Sequence, residues 1–318
     1  MNRPLVSVVC LCYNHVKYVK QAIDSVLSQT YANLQLIVVD DCSTDGSVLI
    51  IQKIVDQNPQ IIFIQLHQNL GNCKAFNRGW KLVTGDFIID FSTDDVMLPN
   101  RVEKQIDFFL KLDKRVGVVF TDAVYIDAAG NSLRNHFDYL LNKKLISRIP
   151  SGDVFRDVLT RYFISGPTMI VRREVMEKLA GYDEQLAYED FDFWVRASRD
   201  FYFSFLNEKL TKVRKLSGSM STSQYQQGDK QLHSTYLVCE KAKDLCRSEK
   251  EIDALRRRVL YEFKHAAFSK NKTEAQHFEK LLKTLGKIPP TFYLIKAFSL
   301  LPLPWRAIRK KHQQLFYS

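Results

Sequence analysis

Three stretches near the start of the chain are apolar with little alternation: Val6 to Cys12, Leu34 to Val39 and Phe87 to Phe91. Continuous apolar runs of this length suit strands buried on both faces, as in a parallel sheet. Between the first two, Val16, Val19, Ala22, Ile23, Val26 and Leu27 recur at helical spacing. Ser43 or Thr44 is placed to cap a second helix through about Asn58, which Pro59 ends. Ile61 to Leu66 and Val116 to Phe120 read as further strands. Helices are expected from Gly71 to about Val83, closed by Gly85, and from Arg101 to Leu112. Strands alternating with helices make βαβ units, so the expected fold is α/β with a mostly parallel central sheet flanked by helices.

Beyond Asp122 the alternation loosens. Ala129-Gly130-Asn131 reads as a turn, Asp153 to Tyr162 as a helix, and Thr168 to Val171 as a short strand leading into a helix at Arg173 to Leu179. A helix is expected to start within Tyr188 to Arg196, and two short strands at Phe203 to Asn207 and Leu210 to Arg214. From about Gly228 the pattern is helical and charged, near 230–247, 249–269 and 272–285. The segment from Ile288 to Trp305 is apolar and broken by prolines, and Arg306, Arg309, Lys310 and Lys311 follow it. The expected division is a domain over 1–225, with halves of about 1–122 and 123–225, and a C-terminal helical extension over 226–318.

Charge sharpens that division. The net charge of +11 is carried entirely by residues 230–318, which hold 19 basic and 8 acidic side chains, whereas residues 1–229 hold 27 of each. A neutral body with a basic tail points to an anionic surface. Phe292, Tyr293, Leu294, Phe298, Leu300, Leu301 and Trp305 beside basic residues are what an interfacial segment uses, so residues 286–318 are expected to lie on a membrane. Nucleic acid is not expected, because no recognised module accompanies the charge. No run reaches the roughly 18 apolar residues of a membrane-crossing helix. The six cysteines include no C-x-x-C pair, which argues against a disulfide framework or a standard zinc site. A cytoplasmic protein, peripheral on the inner face of the membrane, is expected.

The candidate chemistry lies where strands stop. Asp40 and Asp41, Asp94 and Asp95, and Asp122 each follow an apolar run. Helix capping explains any one of these acids, but it has to be invoked three times. Open α/β sheets bind ligands outside the carboxyl ends of their strands. Adjacent carboxylates repel unless a cation or donors offset them, and hard oxygen ligands suit Mg or Mn.

Several segments in order carry a resemblance: Val6 to Asn14 with its Tyr-Asn turn, Asp40-Asp41-Cys42-Ser43-Thr44-Asp45, Asn69-Leu70-Gly71 followed by Asn77-Arg78-Gly79, Thr84 to Asp95, and Gly181-Tyr182-Asp183-Glu184 followed by Glu189-Asp190. Together they resemble the inverting nucleotide-sugar glycosyltransferases of family 2, which have a GT-A fold. The resemblance covers roughly residues 4–225. It implies that Asp94 and Asp95 hold a divalent cation, Mg or Mn, with Asp94 also reaching the ribose. It implies a nucleotide-sugar site from Cys12, Tyr13, Asn14, Asp40, Asp41, Asn77 and Asp94, with Asp41 accepting hydrogen bonds from the base and Tyr13 packing on it. Asp190 becomes the general base on the acceptor hydroxyl, with Glu189 beside it and Trp194 as a wall of the acceptor pocket. Acids at a helix start are also favoured by the helix dipole, and a tryptophan there suits a core equally well.

The implied donor is a nucleoside-diphosphate sugar, with a UDP-sugar as the first expectation, and the implied acceptor is a saccharide or a lipid-linked molecule. Two departures stand out. Ser92 replaces the first acid of the usual Asp-x-Asp, and Leu216 replaces the histidine of a late Tyr-Arg-x-His-x-Gly-Ser loop, leaving Arg214 and Lys215 to substitute. They motivate the alternative of a catalytically silent nucleotide-sugar-binding protein.

Overall fold

The computed structural model describes residues 3–216 and 225–301. Its first part follows the apolar pattern closely, in the order β1 (Val6–Cys12), α1 (Val19–Leu27), β2 (Leu34–Asp40), α2 (Ser47–Gln57), β3 (Ile62–Gln65), α3 (Asn72–Trp80) and β4 (Phe87–Ser92). Every residue of β1 is buried, and β1 pairs in parallel with both β2 and β4. The register sets Cys12 opposite Asp40 and Leu11 opposite Ser92, so the three strands end level. That alignment brings the acids after β2 and β4 to one edge.

On one sheet face, Val6, Val8 and Cys10 pack with Val19, Ala22, Ile23 and Val26 of α1. Full burial of each such side chain is worth about 1.5–3 kcal/mol. On the other face, α3 lies against β1 and β2 at Gly79, where a Cβ would sit 2.6 Å from Val9 Cγ1 and 3.1 Å from Val39 Cγ2. Helix α2 is not capped by Ser43 or Thr44. Its N-cap is Gly46, and Asp45 just before it accepts the Ser47 amide at 3.0 Å and the Ser47 hydroxyl at 2.5 Å.

The next stretch runs β5 (Val96–Met97), α4 (Arg101–Phe109), β6 (Val116–Ile126), β7 (Ser132–Asn135), α5 (His136–Asn142), α6 (Phe155–Thr160), a 3-10 turn at Gly166–Thr168, β8 (Ile170–Arg172), α7 (Arg173–Leu179), α8 (Asp190–Ala197) and β9 (Tyr202–Arg214). The sheet order is β3-β2-β1-β4-β8-β6-β9-β5, with β7 paired to β6. Short β8 runs antiparallel between β4 and β6, while β9 is parallel to β6.

Three expectations change here. Strand β6 continues to Ile126, so Asp122 lies within it rather than at its end. There Asp122 Oδ1 accepts the amides of Ala123 and Phe137 and tethers α5. The two short strands of the 203–214 region are one strand, β9, whose register against β6 shifts around Asp122. Finally, β5 separates Asp94 and Asp95 from α4, whose N-cap is Asn100, so those acids do not cap that helix.

The chain divides into two compact units, residues 1–155 with 162–217, and residues 156–161 with 218–318. The second contains α9 (Lys230–Leu245), α10 (Glu249–Phe268), α11 (Lys272–Thr284) and α12 (Pro290–Ser299). Asp229 caps α9 and Ser248 caps α10. Its core is built by Val238, Leu255, Val259, Phe263, Phe278 and Leu281, all at most 3% exposed. Buried Arg258 bonds to Glu262 at 3.0 Å, and Tyr225 also donates to that carboxylate. Among the described residues, no helix is long and apolar enough to cross a membrane. The fold is α/β, a sheet flanked by helices, with a helical C-terminal region.

Candidate active site

The level ends of β1, β2 and β4 form the floor of the site. After β2, Asp41 turns back so that its two oxygens accept the amides of Leu70 and Gly71, at 2.7 and 2.9 Å. Burial pushes its carboxyl up while those amides pull it down. Asp40, fully buried, accepts the Ser43 amide at 2.8 Å through Oδ1, and its Oδ2 has no hydrogen-bond partner. Asn14 adopts a positive φ of 57° and accepts the Thr44 amide at 2.8 Å. These bonds tie the turn after β1 to the loop after β2. Tyr13 stands at the rim, 46% exposed. Cys12 is 1% exposed, so its side chain belongs to the core beneath the site instead of its surface.

The turn after β4 is held from both sides. Ser92 donates to Asp94 Oδ1 at 2.5 Å, so the residue that departs from Asp-x-Asp orients the acid two positions on. Thr93 donates to Leu11 O and meets His15 Nδ1 at 2.8 Å. Asp95 is 3% exposed and accepts the Arg214 amide at 2.7 Å. Burial, and then the neighbouring Asp94, push its carboxyl well above the ordinary range.

Arg214 is spent on structure. Its guanidinium donates to Asp94 O, Asp127 O, Ala128 O and Gln21 Oε1, at 2.8 to 3.1 Å, and lies over the Tyr18 ring. Lys215 is different. Its ammonium lies 4.2 Å from the centre of the Tyr125 ring and within electrostatic reach of Asp95, Asp94 and Asp190. Burial lowers its affinity for the proton, and the three acids act the other way. The rest of the late loop, 217–221, lies outside the described residues.

Asp190 opens α8 and Glu189 precedes it, without a side-chain capping bond. The acids instead join Asp90, from inside β4. Glu189 accepts Asn72 Nδ2 at 2.5 Å, and Asp90 accepts the Tyr182 hydroxyl at 3.1 Å. Burial, then the Glu189 charge, push both Asp90 and Asp190 well above the ordinary carboxylate range. The carboxylate of Asp190 rests on Gly166, where an added Cβ would lie 3.1 Å from its Cγ, 3.2 Å from Oδ2 and closer still to Oδ1. Lys215 thus interacts electrostatically with both Asp190 and the Asp94–Asp95 turn.

Two expected ligand contacts have other positions. Asn77 is 7% exposed, and its amide bonds the Tyr182 backbone both ways, at 2.8 and 3.0 Å, and reaches Glu184 at 3.1 Å. It fastens the Gly181–Glu184 loop that presents Tyr182 to Asp90, and is not turned to a nucleotide. Trp194 is 3% exposed with its indole N–H donating to Met169 Sδ at 3.3 Å, so it packs in the core and does not wall an open pocket. Reading the sequence assigned no role to Asp90, Arg101 or Gly166, and treated Tyr182 only as part of the Gly181–Glu184 motif. Arg101 is fully buried, donates to Gln105 and Met169 O, and lies near Asp95; burial pushes it down to about 9. Asp90 had a signal of its own, as an acid inside the apolar run of β4.

Asp94 and Asp95 supply two hard oxygen donors. Mg and Mn are commonly held by one or two carboxylates together with phosphate oxygens and water, so the residues present fit a cation shared with a ligand's phosphates. Among the described residues, no group of three His, Cys, Asp or Glu side chains makes a complete metal cage.

The family model described as Glycosyl transferase family 2 matches residues 7–180. An uncharacterized glycosyltransferase of Methanocaldococcus jannaschii is 32% identical over 218 residues, which is 67% of this chain and 72% of that protein. One from Rickettsia prowazekii is 33% identical over 66% of this chain and 64% of its own length. Among solved structures, the mannosyltransferase PcManGT from Pyrobaculum calidifontis, in complex with GDP-Man and Mn2+, superposes with a TM-score of 0.61 at 15% identity, covering 100% of this chain and 82% of that one. Residues 1–349 of TarS from S. aureus, in complex with UDP-GlcNAc, give 0.59 at 17% identity, covering 88% and 91%. At those identities the structural likeness shows the fold.

Proposed function

Because the chain belongs to glycosyltransferase family 2, we propose that it is a metal-dependent inverting enzyme that moves a sugar from a nucleoside-diphosphate sugar to an acceptor hydroxyl. The observation that carries this reading is the level ending of β1, β2 and β4, which brings Asp40, Asp41, Asp94 and Asp95 to one edge, with the Lys215 ammonium in the electrostatic field of Asp94, Asp95 and Asp190. The field of one cation thus acts on both a donor-side acid pair and a base candidate.

In this reading Asp190 takes the proton of the acceptor hydroxyl as that oxygen attacks the anomeric carbon opposite the leaving diphosphate. Glu189 keeps its neighbour's affinity for protons high, and Gly166 fixes where the carboxylate sits. Lys215 offsets negative charge growing on the leaving diphosphate, in the place vacated by the histidine that Leu216 replaces. Asp94 and Asp95 would hold Mg or Mn, which supplies further stabilisation of that charge. Asp40, buried with an unpartnered Oδ2, and Asp41, bonded to the Leu70 and Gly71 amides, shape the nucleotide end of β2, while exposed Tyr13 is free to close over the base. Neighbours of this fold bind GDP-Man and UDP-GlcNAc, and we take a UDP-sugar as the donor. The acceptor is a saccharide or lipid-linked molecule of polysaccharide or glycolipid assembly.

A panel of nucleotide sugars, screened by thermal shift with Mn and with a chelator, tests the donor side. A rise for one donor that needs metal is expected, with transfer that vanishes in Asp190→Asn while donor binding remains. Donor binding without turnover in the unaltered protein would sink the enzymatic reading and leave a silent binder.

A further inference from the structure

The helical unit carries an exposed apolar face beside a basic cleft. Among the described residues, helix α12 is anchored through Phe292 and Lys296. Phe292, 2% exposed, packs on Phe263 with ring centres 4.8 Å apart, and Lys296 one turn on bonds both oxygens of Glu279, at 2.8 and 2.9 Å. Phe292 therefore leaves the interfacial set expected from the sequence, and Trp305 with the basic residues after it lies outside the described residues. Beside the Phe292 anchor, α12 presents Tyr293 (60% exposed), whose ring meets that of Phe292 edge-on at 5.2 Å, then Leu294 (60%) and Phe298 (53%), with Leu300 (80%) just beyond the helix. Residues 293, 294, 297 and 298 fall on one helical face.

The chain enters α12 through the wall of an open cleft of about 750 Å³. Arg256, Arg257, Lys287 and the Ile288–Pro290 turn line it, with Asp253 as its one acid. Asp253 is already paired to Arg256, which also reaches Glu249 at 3.4 Å and donates to Leu285 O at 2.7 Å, so neither acid offsets Arg257 or Lys287. Arg256 thus builds the wall, while exposed Arg257 and Lys287 leave the cleft with positive charge to spare.

We propose that this surface docks on an anionic phospholipid bilayer, with a headgroup phosphate in the Arg256–Arg257–Lys287 cleft and the Tyr293–Leu294–Phe298 face sunk into the headgroup–acyl boundary. Two features of the bilayer match two features of the chain. Phosphate answers the guanidinium and ammonium donors, and acyl chains cover an apolar face about two turns long that water otherwise wets. The excess of 19 basic over 8 acidic side chains in residues 230–318 supplies attraction to the same surface. The inference concerns the helical unit and does not depend on the transferase reading.

Flotation of the full chain with vesicles tests it, using phosphatidylcholine alone or with about one third phosphatidylglycerol. Binding is expected only to the anionic vesicles, and it should fall as salt is raised. Arg257→Glu with Lys287→Glu, and separately Leu294→Asp with Phe298→Asp, should each weaken it by more than about tenfold. Both pairs are exposed, so their thermal melting should stay that of the unaltered chain. Inorganic phosphate at millimolar levels should not release bound protein, because it cannot replace the apolar half of the contact. No flotation with anionic vesicles, equal flotation of either variant pair, or self-association that the apolar pair abolishes in place of flotation would each overturn the proposal.

Discussion

Gly166→Ala tests the position of the base without touching the base. Gly166 sits in the 3-10 turn before β8, in a conformation any residue adopts, so alanine brings no backbone strain. What it brings is a methyl carbon 3.1 Å from Asp190 Cγ, and nearer to Oδ1. Restoring an ordinary van der Waals separation needs a retreat of about 1 Å by the carboxylate. A misplacement of about 1 Å costs on the order of 10²-fold in a reaction that depends on a positioned group. That corresponds to about 2.7 kcal/mol of transition-state stabilisation. The substitution should lower kcat by that factor and leave the KM for donor nearly unchanged, since Asp94 and Asp95 are held by other contacts. The assay is steady-state transfer with the donor identified by thermal shift, alongside a melting curve to establish that the fold persists. Full kcat in a folded Gly166→Ala protein would refute the assignment of Asp190. A loss confined to donor KM would place Asp190 on the donor side instead.

Other outcomes follow from the same geometry. A general base must be ionised, so with Asp190 raised by burial and by Glu189, the acid limb of kcat/KM should lie above the ordinary carboxylate range; Glu189→Gln should move that limb to lower pH, and a limb that stays put removes Glu189 from the coupling. Chelation should abolish transfer and Mn or Mg restore it, with Asp95→Asn needing more metal for half-maximal rate; unchanged rates in chelator would remove the metal from the mechanism. His136 is buried, donating through Nε2 to Phe163 O at 2.8 Å and facing the Tyr125 hydroxyl at 2.7 Å, and burial pushes it down to about 4. Its folded-state value lies below that of the unfolded chain, so the stability it confers is complete above about pH 6.5 and is lost as pH falls toward 4, by about 3 kcal/mol in all. Denaturant unfolding at pH 7 and pH 5 should show part of this loss, and His136→Gln should flatten the difference.

What the sequence made legible was whatever lies within one strand and its turn. The runs in β1, β2 and β4 are apolar because both sheet faces are covered, and their level ends follow from parallel pairing, so Asp40, Asp41, Asp94 and Asp95 could be grouped before any coordinates. Contacts made by register across the sheet were not legible. Asp90 needs Glu189, a hundred residues away, to matter. Gly166 meets Asp190 just before β8, a strand legible at Thr168 to Val171, whereas its antiparallel place between β4 and β6 was not. Asp122 was misplaced because β6 continues through it, its acid satisfied by the amides of Ala123 and Phe137. Asn77 and Trp194 were read as ligand contacts from neighbouring motifs, yet their polar atoms meet Tyr182 and Met169.

The two adjacent cations at the end of β9 show how such ambiguity resolves. From the chain alone Arg214 and Lys215 were equal substitutes for a missing histidine. A guanidinium that donates to three carbonyls and Gln21 has no fork left for a diphosphate. Losing it should therefore damage the fold: Arg214→Lys gives up the planar fork and leaves carbonyls of the 94 and 127–128 turns short of donors, costing about 1–3 kcal/mol for each acceptor stranded in the interior. Lys215 carries its charge to acids and an aromatic face, where position matters less than sign. Lys215→Arg should keep transfer within about tenfold, whereas Lys215→Met should lose on the order of 10²-fold or more. Unfolding curves and transfer rates for the three variants separate the roles. If Arg214→Lys melts like the unaltered protein while transfer collapses, the division of labour between these neighbours is the reverse of the one argued here.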